Sequence, residues 1–239
     1  MFDTRMAEPV VAITLAPAQL DAARKLHGRL KRWRDTDAAL AALHHVLPGF
    51  ESDAALLKVA AINQLYGTNV LAVSRMAEHV SVVMKKGVSG VELVEEIATL
   101  RPAAGSDGTT RKHVSFASKF AHFFVSPDYA IYDSYAVQAL ARHIKGARRS
   151  GPSDYARFVE EIDLLKSASG LACSTRDMDR YLWLVGLRLN WLKATMNNRD
   201  APINVEVKQM FKSAESDAKL RDLVARLDDH AQELEPSRR

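Results

Sequence analysis

Apolar side chains recur at helical spacing along almost the whole chain, and this pattern constrains the fold more than any other feature of the sequence. Pro17 stands near the start of the first periodic segment, where its missing N–H leaves no hydrogen bond unmade. Strand signals are confined to residues 10–14. The sequence therefore predicts an all-α fold with helices over about 16–33, 35–47, 52–65, 69–85, 91–100, 111–124, 133–144, 154–167 and 176–195.

The domain organisation follows from where the periodicity breaks. We expect residues 1–196 to form one two-lobed helical domain, with one lobe over about 54–145. A Pro- and Gly-containing loop is expected at 101–108 and a basic linker at 146–153. Residues 197–239 are predicted to be a polar C-terminal extension with one amphipathic helix, carried by Leu220, Leu223, Val224 and Leu227.

Composition excludes several classes of protein. The single cysteine, Cys173, excludes an intrachain disulfide and a cysteine-rich metal site, and it is typical of a reducing compartment. No stretch approaches the ~20 apolar residues of a membrane helix, and the N-terminus lacks the basic lead of a signal peptide. No P-loop, dinucleotide fingerprint or His–carboxylate metal spacing occurs. We therefore expect a cytoplasmic protein with no membrane partner and no cofactor.

The charge balance permits a polyanionic partner. The net charge is +4 and the isoelectric point is about 9.2, which allows phosphate neutralisation without requiring it. Two segments concentrate the cations. Each is interpreted either as a solvated helix face or loop or as a phosphate-binding surface. The segments contain Arg24, Lys25, Arg29, Lys31, Arg32 and Arg34, and then Arg142, His143, Lys145, Arg148 and Arg149.

The segment 105–140 is the richest in reactive side chains. On a helix over 111–124, one narrow polar stripe holds Lys112, Ser115, Lys119 and His122, opposite an apolar face. The alternative interpretation of this stripe is a solvated face. Lys112 is expected in the first turn, where the helix dipole disfavours a cation and so favours the neutral amine that a nucleophile needs. Asp133 is expected to open the next helix, as an N-cap that also faces a cleft.

These residues resemble the helix-hairpin-helix DNA glycosylases, most closely their 8-oxoguanine branch. "KHVSFASKF" is similar to the family's lysine helix, and "AIYDSYAVQAL" is similar to its aspartate segment. The resemblance implies that Lys112 attacks the sugar C1′ and that Asp133 deprotonates the nucleophile and supports the developing positive charge. Lys119 is a rival nucleophile, because it lies on the same stripe and closer to Asp133 in the sequence.

Two further segments carry the resemblance. "AAINQLYGTNVLAVSRM" resembles the family's early helix-turn-helix, which implies that Asn63 or Gln64 fills the gap left by an extruded base. The alternative is that these are helix-end and turn residues. The family's hairpin grips a DNA phosphate; "GSDGTTRK" has the glycines but no apolar hairpin residue. The DNA-binding residues that we expect from these segments and from the basic linker are Asn63, Gln64, Gly108, Thr110, Arg111, Arg148 and Arg149.

The resemblance implies a function in DNA repair. We expect a base-excision enzyme that binds double-stranded DNA, hydrolyses the bond to an oxidised base such as 8-oxoguanine, and cleaves the resulting abasic site as a lyase. The alternative is a non-catalytic helical module that binds DNA or a protein and keeps the fold without the chemistry.

Overall fold

The computed structural model describes residues 9–101, 111–146 and 155–228. Within them the chain is almost wholly helical, which confirms the all-α prediction. The helices are α1 (Pro17–Arg29), α2 (Lys31–Val46), α3 (Ser52–Tyr66), α4 (Val73–Met84), α5 (Gly90–Ala98), α6 (Val114–Phe124), α7 (Ser134–His143), α8 (Tyr155–Ala168), α9 (Thr175–Met196), α10 (Val205–Ser213) and α11 (Ala218–Leu227).

Among the residues that the structure describes, four two-residue strands form two antiparallel pairs. They are β1 (Val10–Val11), β2 (Thr99–Leu100), β3 (Arg111–Lys112) and β4 (Ile144–Lys145). Strand β1 pairs with β4, and β2 pairs with β3 so that Thr99 faces Lys112. In the part of the chain that the structure describes, no helix is long and apolar enough to cross a membrane.

The chain divides into two compact units. In described residues, the first unit comprises 9–32, 134–146 and 160–228, and the second comprises 33–101, 111–133 and 155–159. In the first unit α9 packs against α7, α1, α10 and α11. Gly186 allows α9 to approach α7 closely, because a Cβ there would lie 2.2 Å from the carbonyl oxygen of Tyr135 on α7.

The described part of the C-terminal segment, residues 197–228, contains two helices rather than the one predicted. Asp217 caps α11, where its carboxylate accepts hydrogen bonds from the N–H groups of Lys219 and Leu220. The predicted apolar stripe is present, and Leu220 and Val224 are buried. Helix α11 packs on both α1 and α9, so this part of the tail belongs to the core of the first unit.

The second unit is built around α3 and α6. Helix α3 packs on α4, and α6 packs on α5 and α3. Phe116, Phe120 and Phe124, at spacings of four residues on α6, are buried in a row whose neighbouring rings lie 5.8 and 5.2 Å apart. The apolar face of α6 is therefore anchored in the core, which leaves the opposite face to position polar groups.

Candidate functional site

Helix α6 begins later than predicted, and this changes the position of Lys112. Lys112 lies on β3, outside the helix, because its backbone pairs with Thr99 of β2. The helix starts at Val114, so the prediction that Lys112 occupies its first turn is wrong. The Lys112 ammonium is exposed and lies 2.8 Å from the carboxylate of Glu95. The helix dipole therefore gives no reason to regard Lys112 as an activated amine.

Lys119 is the lysine that meets Asp133. Its Nζ lies 3.7 Å from Oδ2 of Asp133, and the two side chains are only 6% and 15% exposed. The same ammonium donates a hydrogen bond to Oγ of Ser115, one turn earlier on α6, at 2.8 Å. Lys119 and Asp133 thus form a largely buried ion pair within the second unit, the pairing that the rival assignment required.

Two polar side chains of α6, Ser118 and His122, form hydrogen bonds with the segment that follows the helix. Ser118 is fully buried, and its Oγ accepts a hydrogen bond from the backbone N–H of Tyr132 at 3.0 Å. His122 is buried too, and its Nδ1 lies 2.8 Å from the carbonyl oxygen of Tyr129, to which it donates. A solvated face is therefore excluded for these residues. These two hydrogen bonds fix the path of the chain from Tyr129 to Tyr132, and therefore the position of Asp133.

A second contact from α8 holds the same segment. The hydroxyl of Tyr155 donates to the carbonyl oxygen of Ala130 at 2.9 Å, and the ring of Phe158 packs edge-on against Tyr132. Tyr155 and Phe158 belong to the same unit as Asp133. The segment before Asp133 is therefore held from two sides, which limits how far its carboxylate can move.

Asn63 has a structural role in the turn after α3. Its side-chain amide donates to the carbonyl oxygen of Val70 at 3.0 Å, and its Oδ1 accepts from the N–H of Val70 and the hydroxyl of Thr68. Asn69 in this turn has a positive φ of 56°, which asparagine tolerates better than most residues. Gln64 is exposed on α3. Asn63 was one of the two candidates for filling the gap left by an extruded base. Its side chain instead forms hydrogen bonds within the turn.

The remaining predicted DNA contacts are only partly visible. Gly108, Thr110, Arg148 and Arg149 lie outside the described residues, and Arg111 is described only through its backbone in β3. In the first basic segment, three exposed cations have acidic partners within the first unit: Arg24 with Asp177, Lys25 with Asp21, and Arg29 with Asp217.

A second buried lysine was missed by the sequence analysis. Lys58 on α3 is fully buried, donates to the carbonyl oxygen of Gly49 at 2.7 Å, and lies 4.2 Å from the ring centre of Phe50. Burial lowers the pKa of Lys58, and the nearby carboxylate of Glu51 offsets part of that shift. In the described residues, no group of three or more His, Cys, Asp or Glu side chains could hold a metal ion.

Comparison with known proteins gives one partial match. The HI_0787_N family model, described as an N-terminal domain, matches residues 19–129, less than half of the chain. No curated protein and no solved structure matches. The matched range contains both candidate lysines and ends before Asp133.

Proposed function

We propose that this protein is a DNA glycosylase with abasic-site lyase activity, in which Lys119 is the nucleophile and Asp133 its acid–base partner. The observation that supports this most directly is the ion pair between Lys119 Nζ and Asp133 Oδ2 at 3.7 Å, in a largely buried setting. The resemblance of this segment to helix-hairpin-helix glycosylases supports the choice of DNA as substrate. Lys112, which the resemblance favoured, is replaced because its exposed ammonium pairs with Glu95.

The pair has the two groups that the reaction needs. Asp133 accepts a proton from the Lys119 ammonium, which leaves a neutral amine. The amine forms a bond to C1′ of the deoxyribose as the bond from C1′ to the base breaks, and the base leaves with that electron pair and takes up a proton. Asp133 passes the proton that it took from Lys119 to the leaving base, and the carboxylate that it thereby regains stabilises the positive charge on the sugar and on the newly bonded nitrogen.

The lyase step continues from the covalent intermediate. The bond from C1′ to the ring oxygen breaks, the oxygen leaves with the electron pair and takes up a proton released by the nitrogen, and C1′ and the Lys119 nitrogen are then joined as a Schiff base. Loss of a C2′ proton then breaks the C3′–O bond, and the 3′ phosphate leaves with the electron pair. Water hydrolyses the Schiff base and returns the amine. Borohydride reduces the Schiff base to a stable amine, so the intermediate is directly detectable.

Burial of the pair sets a condition on this mechanism. The Lys119 side chain is only 6% exposed, so a sugar reaches its amine only after the side chains that cover it move aside. An extruded nucleotide supplies binding energy for such an opening, as in other enzymes that act on a flipped base.

The same burial favours a second candidate, a non-catalytic helical module that binds DNA or a protein. An ion pair that only fastens residue 133 to α6 has the same geometry, and breaking such a pair costs about 3–5 kcal/mol. The two candidates differ in chemistry: only the first requires a covalent bond between Lys119 and DNA.

Borohydride trapping separates the candidates. The protein is incubated with duplexes that carry 8-oxoguanine or an abasic site, and then reduced. We expect a covalent adduct with the wild type and with Lys112→Arg, which keeps the cation beside Glu95, and none with Lys119→Arg, which keeps a cation beside Asp133 but forms no Schiff base. Asp133→Asn should slow trapping without removing the lysine.

Two outcomes would overturn the assignment. An adduct that survives Lys119→Arg and disappears in Lys112→Arg would make Lys112 the nucleophile. No adduct of the wild type with either duplex would remove the enzymatic proposal and leave the non-catalytic module. A thermal melt of each variant shows whether it is folded when it is tested.

A further inference from the structure

The second unit contains a charged groove, and neither Lys119 nor Asp133 is among the residues that line it. Helices α4 and α5 and the paired strands β2 and β3 line it, and its volume is about 860 Å³. This size lies within the usual range for ligand sites. Its charged side chains are Arg75, Lys86, Arg101 and Lys112 against Glu92, Glu95 and Glu96, an excess of one positive charge.

Two of the three acids are neutralised by lysines of the same groove. Glu95 pairs with Lys112 at 2.8 Å, and Glu96 pairs with Lys86 at 2.6 Å. The hydrogen bond from Lys86 lowers the pKa of Glu96, and the charges of Lys86, His79 and Arg101 lower it further. Burial opposes part of this shift, and its largest cause is the hydrogen bond from Lys86, so Glu96 is already paired within the groove.

The two arginines supply donors beyond these pairs. The Arg75 guanidinium donates to the backbone carbonyl oxygen of Arg101, which holds it in place at the groove wall. One bond of this kind leaves several of its N–H groups for an anion, and a guanidinium held in advance loses little entropy when the anion binds. Arg101 is exposed at the end of β2.

We propose that this groove binds the phosphate groups of a DNA strand, with Arg75 and Arg101 as the contacting residues. The proposal rests on the proposed function in taking DNA as the partner, but it does not depend on covalent chemistry at Lys119. Phosphate fits because it accepts several hydrogen bonds and its negative charge is attracted by the groove's excess of one positive charge. Glu92 is the acid of the groove that opposes a phosphate most directly, because it is exposed on α5.

The test measures binding in the absence of chemistry. A labelled duplex with a tetrahydrofuran abasic analogue, which forms no Schiff base, is titrated with full-length protein at salt concentrations from about 50 to 200 mM. Arg75→Gln and Arg101→Gln should each weaken binding several-fold and reduce the slope of log K against log salt by about 0.9. Arg226→Gln is the matched control, because it removes the same charge from an exposed position on α11 in the first unit.

A variant that is expected to bind DNA more tightly tests whether loss of folding, rather than loss of charge, explains weaker binding. Glu92→Gln should strengthen binding about threefold, since it removes a repulsion between the groove and a phosphate, and an unfolded protein would not gain affinity. The proposal is overturned if the salt slopes of Arg75→Gln and Arg101→Gln match that of Arg226→Gln, or if Glu92→Gln binds no more tightly than the wild type.

The outcome also separates this proposal from the catalytic one. If the wild type binds the duplex with the expected charge dependence but forms no borohydride adduct, the chemistry at Lys119 fails and the groove stands. If the wild type forms an adduct while the arginine variants bind normally, the groove fails and the chemistry stands. If the wild type does not bind the duplex, the groove proposal is refuted.

Discussion

The ion pair between Lys119 and Asp133 should couple the two residues energetically, and its strength follows from distance and burial. At 3.7 Å and an effective dielectric constant of about 20, the Coulomb attraction is about 4–5 kcal/mol. Desolvation of both groups offsets part of it. We therefore expect Lys119→Met or Asp133→Asn alone to lower the free energy of unfolding by about 3 kcal/mol, with a coupling of about 2–3 kcal/mol.

The assay is a double-mutant cycle by urea denaturation. The wild type, the two single variants and the double variant are unfolded under the same conditions, and the midpoints are compared at a common slope. A coupling below about 0.5 kcal/mol would refute the reasoning, because the two changes would then act independently.

The pair between Lys112 and Glu95 is the matched control for this cycle. Its atoms are closer, at 2.8 Å, but its side chains are 43% and 27% exposed. Water screens such a pair, so we expect a coupling below about 1 kcal/mol despite the shorter distance. A larger coupling for Lys112–Glu95 than for Lys119–Asp133 would show that burial does not govern these two interactions.

Three further predictions concern other parts of the chain. Gly186→Ala should lower the free energy of unfolding by about 2–3 kcal/mol in urea denaturation, because its Cβ would meet the backbone of Tyr135 at 2.2 Å. Because the pKa of Lys58 is lowered in the folded state, the unfolded state holds more protons than the folded state at pH values between that lowered pKa and 10.5, the ordinary value. The stability of the wild type should therefore rise relative to Lys58→Met as the pH is raised through this window and change little below it, measured by denaturation at several pH values. Burial raises the pKa of the Cys173 thiol, so an aromatic disulfide reagent should react more slowly with native than with urea-unfolded protein near pH 8.

Each of these predictions has a contrasting result. Gly28→Ala on α1 should be neutral or stabilise slightly, since nothing lies within 4 Å of its added Cβ, and an equal loss at Gly28 and Gly186 would contradict the clash. A pH-independent difference between the wild type and Lys58→Met would contradict desolvation of the ammonium. Equal thiol reactivity in native and unfolded protein would contradict protection of Cys173.

Helix content could be predicted because its signals are local. Pro17 at the start of α1 and Asp133 directly before α7 lie where the sequence predicted, since the chemistry of a helix start involves only a few consecutive residues. The helix predicted over 16–33 nevertheless breaks at Leu30. There the N–H of Arg32 donates to the Glu206 carboxylate on α10, a partner far away in the sequence.

The candidate site was predictable in its residues and only partly in its pairing. Helical spacing placed Ser115, Lys119 and His122 of α6 on one stripe, and Asp133 was expected at the start of the next helix. Lys112 was misplaced because the pairing of β2 with β3 joins residues on either side of a long connection, and helical periodicity carries no information about it. Ser118 was missed because its role is to accept a hydrogen bond from the backbone of Tyr132, and only the tertiary structure shows that Tyr132 lies against α6.

The amino-acid sequence by itself determined that this chain is helical, which face of α6 is apolar, and which cations and carboxylates are available, because these depend on neighbours within a few residues. Only the tertiary structure decided that Asp133 meets Lys119, and that Lys112 meets Glu95 instead. The physical reason is that the energy of an ion pair depends on distance and burial, and both are set by how α5, α6 and the segment from Tyr129 to Asp133 pack together.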